Sequence, residues 1–188
     1  MKNFNRPILG ILWSIVFLFA ACKNEPPKVE NEEETITTLE LVFTPVNGGK
    51  SVKFKYQDLD GDGANPPIYT TDFLDSNTTY NTQITLLNES SNPVVNITDE
   101  VKAEGVDHQF FYLSEPSNLA AIQYNDKDAN DYPIGIQTVF QMLKKGDGKL
   151  KIILRHKPNK KGSNVSAGDV ANAGGETDIE VQFDLKIR

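Results

Sequence analysis

From residue 36 onward, apolar and polar residues alternate along most of the chain, the period of a strand with one buried face. Val52-Lys53-Phe54-Lys55-Tyr56 alternates, as does Leu150-Lys151-Ile152 running on to Leu154. The last stretch is the clearest: Ile179, Val181, Phe183, Leu185 and Ile187 face one way, and Glu180, Gln182, Asp184 and Lys186 the other. Asn47-Gly48-Gly49, between apolar runs at Leu39–Thr44 and Ser51–Gln57, predicts a hairpin turn. Helical spacing is scarce, and Thr98-Asp99-Glu100-Val101 predicts one short capped turn.

The pattern repeats at a fixed offset of 68. Phe43 falls on Phe111, Tyr56-x-Asp58-x-Asp60 on Tyr124-x-Asp126-x-Asp128, and Ile84 and Leu86 on Ile152 and Leu154. Asn96-Ile97-Thr98 falls on Asn164-Val165-Ser166, and the terminal strand maps as a third copy of the first. The expectation is an all-β fold, an antiparallel Ig-like β-sandwich built from two repeats of about 68 residues plus a closing C-terminal strand. The repeats are residues 36–106 and 107–188, forming either one sandwich with pseudo-twofold halves or two packed units sharing an exchanged strand.

The front end reads differently. Lys2 and Arg6 precede an apolar run from Ile8 to Phe19, closed by Ala20-Ala21-Cys22. A basic start, a short apolar stretch and small residues at the cut describe a secretory signal over residues 1–21. The run is too short to span a bilayer, which needs about 20 apolar residues. Small residues before a lone cysteine resemble a bacterial lipobox, with Phe19 where leucine is usual, so Cys22 is expected to carry the lipid and become the new N-terminus. Residues 22–35 follow as an acidic tether. Pro26-Pro27 stiffens it and Glu25, Glu30, Glu32, Glu33 and Glu34 extend it by repulsion. Extended, it would reach about 40 Å.

Charge and cysteine count narrow the function. The net charge of -7 opposes nucleic-acid binding, which relies on Lys and Arg patches. The single cysteine excludes an internal disulfide framework and any all-thiolate metal site.

The repeated acidic motif carries the main chemical suggestion. In the first copy, Asp58-Leu59-Asp60-Gly61-Asp62-Gly63 places carboxylates at alternate loop positions beside glycines, a composition able to fold around Ca²⁺. The twelfth position, where an EF-hand has a bidentate glutamate, is Tyr69, so other oxygens would have to complete a site. The second copy, with Asp126 and Asp128, lacks the glycine and carries Lys127. Turn formation by Asp, Asn and Gly is the alternative for both. His108 and His156 with nearby carboxylates would suit a transition metal. They are not equivalent in the repeat and form no His-x-His pair, which favours two unrelated histidines.

Enzyme signatures are missing: there is no Gly-rich phosphate loop after a strand, no G-x-S-x-G elbow and no cysteine nucleophile. The chain is therefore expected to be no enzyme. Asn77, Asn88, Asn96 and Asn164 fit N-x-[ST], but a bacterial lipobox gives that sequon no context.

On Asp58–Gly63, His108-Gln109-Phe110-Phe111-Tyr112, Leu154–Lys160 and Asn172–Asp178, the chain resembles a family of small, largely uncharacterised Bacteroidota lipoproteins. Relatives are often encoded beside TonB-dependent outer-membrane receptors and are sometimes labelled type 1 periplasmic-binding-fold proteins. That label implies an α/β sheet with crossover helices, which the period-two pattern does not support. The resemblance implies a protein lipid-anchored at the outer membrane, on its periplasmic or cell-surface face. Its membrane contact would run through the anchor, and its partner would be a TonB-dependent receptor. The expected function is a binding or accessory module, capturing a metal ion or metal complex for uptake. The alternative is a structural or adhesive β-module with at most a stabilising calcium loop.

Overall fold

The computed structural model describes residues 35–61 and 63–188, besides Met1. The expected signal segment, the expected lipidation position Cys22, the expected tether up to residue 34 and Asp62 lie outside the described residues. All described elements belong to one compact unit, Glu33–Arg188.

The alternating segments form strands. They run β1 (Thr38–Pro45), β2 (Val52–Gln57), β3 (Ile68–Thr70), β4 (Thr79–Asn88) and β5 (Val95–Asn96), followed by helix α1 (Ile97–Ala103). Then come β6 (His108–Glu115), β7 (Ala120–Tyr124), β8 (Gln137–Met142), β9 (Gly146–His156) and β10 (Glu176–Ile187). Two antiparallel sheets pack together as a β-sandwich. The larger has the order β3-β2-β1-β4-β8-β7, with β5 on β4, and the smaller has the order β10-β9-β6. Among the described residues no helix is long and apolar enough to cross a membrane.

The expected hairpin joins β1 to β2 with Leu41 opposite Phe54, and Gly48 and Gly49 take the positive φ angles that the turn needs. The expected helical turn is α1, but its cap differs. Asn96 accepts from the Thr98 amide, while the Thr98 hydroxyl is buried and accepts from the Leu86 amide. Thr98 thus ties α1 to β4 rather than capping it.

One continuous core fills the sandwich. Leu39, Leu41 and Phe43 of β1, Phe54 of β2, Tyr80, Ile84 and Leu86 of β4 and Phe140 of β8 point inward from the larger sheet. They meet Phe110 and Tyr112 of β6, Leu150, Ile152 and Leu154 of β9, and Val181, Phe183, Leu185 and Ile187 of β10. Edge-on or tilted ring pairs cross the interface, Phe54 to Phe183 at 5.6 Å and Tyr112 to Phe140 at 5.6 Å.

A second, smaller cluster of Phe111, Ile153, Val165 and Ala173 lies on the other face of β6 and β9. Val165 and Ala173 belong to the connection between β9 and β10, which crosses that face. This explains why Phe110-Phe111-Tyr112 and Ile152-Ile153-Leu154 are continuous apolar runs: those strands are buried on both sides.

The offset of 68 is followed by some elements and not by others, since β5 has no strand at its image. It carries β2 onto β7, β4 onto β9 and the start of α1 onto a 3₁₀ turn at Val165–Ala167. Strand pairing departs from it. β1 pairs with both β2 and β4, whereas β6 lies at the edge of the smaller sheet beside β9, and the β7–β8 hairpin pairs with β4 in the larger one. Register departs too: Leu41 pairs with Ile84, but Ile152 pairs with Tyr112 rather than Gln109. The crossing hairpin places Phe140 5.3 Å from Phe43 and joins the Thr82 and Thr138 hydroxyls in the core.

Candidate functional site

The two acidic loops have different fates. In the first, Asp58 Oδ1 accepts from the Gly61 amide at 2.9 Å, and Gly61 takes φ +57°. Asp60 Oδ2 accepts from the side-chain amide of Asn65 at 2.8 Å and its backbone amide at 3.2 Å, which holds the carboxyl below the usual range. The Tyr56 hydroxyl donates to Asp58 at 3.4 Å. Burial first, then the Asp58 charge, pushes that phenol up to about 12. Asp60 is exposed and Asp58 half-buried.

The second loop is knitted into the body. Asp126 accepts from the amides of Gly135 at 2.7 Å and Gln137 at 3.0 Å. Asp128 Oδ1 accepts from the amides of Asn130 and Tyr132, and its Oδ2 accepts from the ammonium of Lys160 at 2.8 Å. Lys160 completes its three donations with the carbonyls of Gly105 at 2.5 Å and Pro133 at 3.0 Å. Burial pushes the ammonium of Lys160 down against the pull of Asp128. Burial also opposes the charge on Asp128, but the bonds from Lys160 and the two amides outweigh it and hold the carboxyl low. The cation seated in this loop is a lysine of the chain itself.

The histidines are not unrelated, contrary to the expectation from their spacing. His108 and His156 are register partners on β6 and β9. Both are buried, and their rings stack at 4.8 Å between centroids with planes 7° apart. His108 Nδ1 lies 3.1 Å from the Glu104 carbonyl, to which an Nδ1–H donates, and its Nε2 lies 3.7 Å from Asp178 Oδ2. Asp178 sits where the β9–β10 register shifts between Thr177 and Ile179, a bulge that re-aims one side chain.

Lone pairs of near-parallel stacked rings lie side by side and do not converge on one ion. Among the described residues no group of three or more His, Cys, Asp or Glu side chains is placed to hold a metal. The candidates thus fall into three separate places: Asp58 with Asp60, Asp126 with Asp128, and His108 with His156.

Spacing did not single out the exterior of the larger sheet. On the outer face of the smaller sheet the connection carrying Val165 and Ala173 covers Phe111 and Ile153, while Glu180, Gln182, Asp184 and Lys186 of β10 stay exposed. The larger sheet instead bears an open groove of about 610 Å³ across β1, β4 and β8 and on to Asn125, just past β7. Its lining among the described residues is Val42, Thr44, Asn81, Thr82, Gln83, Thr85, Asn125, Gln137 and Thr138, none of them charged. Alternation could have found it, since Asn81, Gln83 and Thr85 are the polar half of the Tyr80-to-Leu86 strand.

No family model, no curated protein and no solved structure matches this chain.

Proposed function

We propose that the protein is a lipid-anchored binding module of the bacterial outer membrane, tethered through Cys22 and accessory to a TonB-dependent uptake receptor. The observation that carries this reading is the asymmetry of the sandwich. The smaller sheet has part of its exterior, over β6 and β9, covered by an apolar cluster and carries ion pairs on the rest, while the larger leaves an uncharged polar groove open to solvent. An uncovered sheet face on a tethered body is free to meet a ligand or partner. Capture of a metal ion would fall to the half-buried Asp58 and exposed Asp60, because in the second loop the Lys160 ammonium already occupies Asp128.

Anchoring is tested by feeding an alkyne fatty acid to bacteria expressing the full chain. The wild type takes up the label and sediments with membranes, while Cys22→Ser does neither. Labelling of the Cys22→Ser chain overturns the anchor. The accessory role is tested by cross-linking the anchored protein in its own envelope: an outer-membrane receptor in the product supports it, and only non-receptor proteins would contradict it. Calorimetry of the full chain against Ca²⁺ tests the metal version, which no heat of binding would remove.

A further inference from the structure

We propose that the open groove on the larger sheet is a binding site for a neutral, polyhydroxylated chain, that is, an uncharged linear oligosaccharide. The proposal rests on the reading of the protein as a binding module and names the ligand class of its open face.

Nearly a quarter of the chain is charged, yet among the described residues no Lys, Arg, Asp or Glu lines the groove. An anion would find no cation there, and a metal ion no carboxylate. An apolar ligand would find only Val42. A β-strand from a partner adds to an exposed sheet edge. Here β1, β4 and β8 each have neighbours on both sides, so their backbone groups are already engaged in the ladder.

What remains is the chemistry of amides and hydroxyls. Asn81, Gln83, Asn125 and Gln137 are exposed, and among the described residues their side-chain amides make no hydrogen bond to protein. Each amide offers two donors and an acceptor oxygen, and Thr44 and Thr85 add hydroxyls that do both. A sugar hydroxyl is likewise donor and acceptor at once, so the match is one of charge and of hydrogen-bond type.

The register sets the shape. Val42 is opposite Gln83, Gln83 is opposite Gln137, and Asn125 donates its backbone amide to the Gln137 carbonyl. This row crosses four positions in the direction perpendicular to the strands, three spacings of about 4.8 Å. Thr44 opposite Asn81 forms a parallel row one pleat away. Such a run of uncharged groups fits an extended chain lying across the strands. Among the described residues no aromatic ring lines the groove to stack on a sugar face, so each sugar contributes weakly and affinity grows with chain length.

The test uses the full-length protein in mild detergent. Native gels cast with soluble neutral glucan, mannan, xylan or galactan are run beside gels without polysaccharide. Calorimetry then follows with oligosaccharides of two, four and six sugars from whichever polymer retards the protein. The expected results are retardation in at least one gel and at least tenfold tighter binding from two to six sugars. A further tenfold loss is expected in the double variant Gln83→Ala with Gln137→Ala, both exposed positions. Retardation in none of the four gels overturns the ligand class, and retardation untouched by the double variant overturns the site. Loss of receptor cross-linking in that variant, without any saccharide effect, makes the face a protein contact and also overturns the proposal. Receptor cross-linking that persists without saccharide binding leaves the accessory reading standing while this inference falls.

Discussion

The ammonium of Lys160 lies 2.8 Å from the carboxylate of Asp128, with both side chains almost wholly buried, 5% and 1% exposed. The pair links the loop after β7 to the connection after β9, and through the Gly105 carbonyl to the turn before β6. It does structurally what a bound cation would do in an acidic loop.

Removing one partner of such a pair strands a buried charge. Lys160→Met is expected to cost about 3–5 kcal/mol in urea unfolding, while Lys160→Met with Asp128→Leu recovers part of that loss. A double variant as unstable as the single one would mean that the carbonyl bonds of Lys160, rather than the ion pair, carry the effect.

The same pair sets an acid limit. Asp128 has a folded pKa below its unfolded value, so its contribution is full above roughly pH 4 and lost as pH falls through the folded value. Melting temperature should drop on acidification below that point, and Asp128→Asn should flatten the drop. An unchanged acid slope in Asp128→Asn would assign the sensitivity to other carboxylates.

In the core, the Thr82 hydroxyl meets that of Thr138 and donates to the Thr138 carbonyl at 3.1 Å. Thr82→Val deprives the buried Thr138 hydroxyl of its partner and should cost about 1–3 kcal/mol. Thr82→Val with Thr138→Val removes both hydroxyls and should cost less than the single change, as read from paired urea midpoints.

Gly135 stands where three strands converge. It takes φ +91°, donates to Asp126 and accepts from the Tyr112 hydroxyl at 2.6 Å. A Cβ there would lie 2.9 Å from Phe110 Cβ and 2.9 Å from the Tyr124 ring. Gly135→Ala should therefore destabilise by more than about 1 kcal/mol, through both backbone and contact. A neutral Gly135→Ala in thermal unfolding would show that the hub yields.

Alternation was enough to read β1, β2, β10 and the Leu150-Lys151-Ile152 part of β9 from the sequence, because there apolar residues take every second position. The same alternation holds in β4, whose polar half lines part of the groove, although spacing did not mark that face as a site. It could not show which sheet a strand joins. Leu150, Ile152 and Leu154 fit any partner with the same period, and only side-chain packing sends the β7–β8 hairpin to β4. The histidine stack was hidden for the same reason: His108 and His156 meet only once the β6–β9 register is fixed. Lys160 gives no local signal in Pro158-Asn159-Lys160-Lys161, where a solvated lysine looks identical. The lipidation reading of Cys22 rests on residues outside the described structure.

The larger sheet of the one sandwich draws strands from both halves of the chain and leaves a polar groove open on its outer face. Cross-strand nuclear Overhauser contacts measure this directly. The structure predicts contacts linking Thr82 with Thr138 and Tyr112 with Ile152. Contacts pairing β6 with β7 instead, in the manner of β1 with β2, would contradict it.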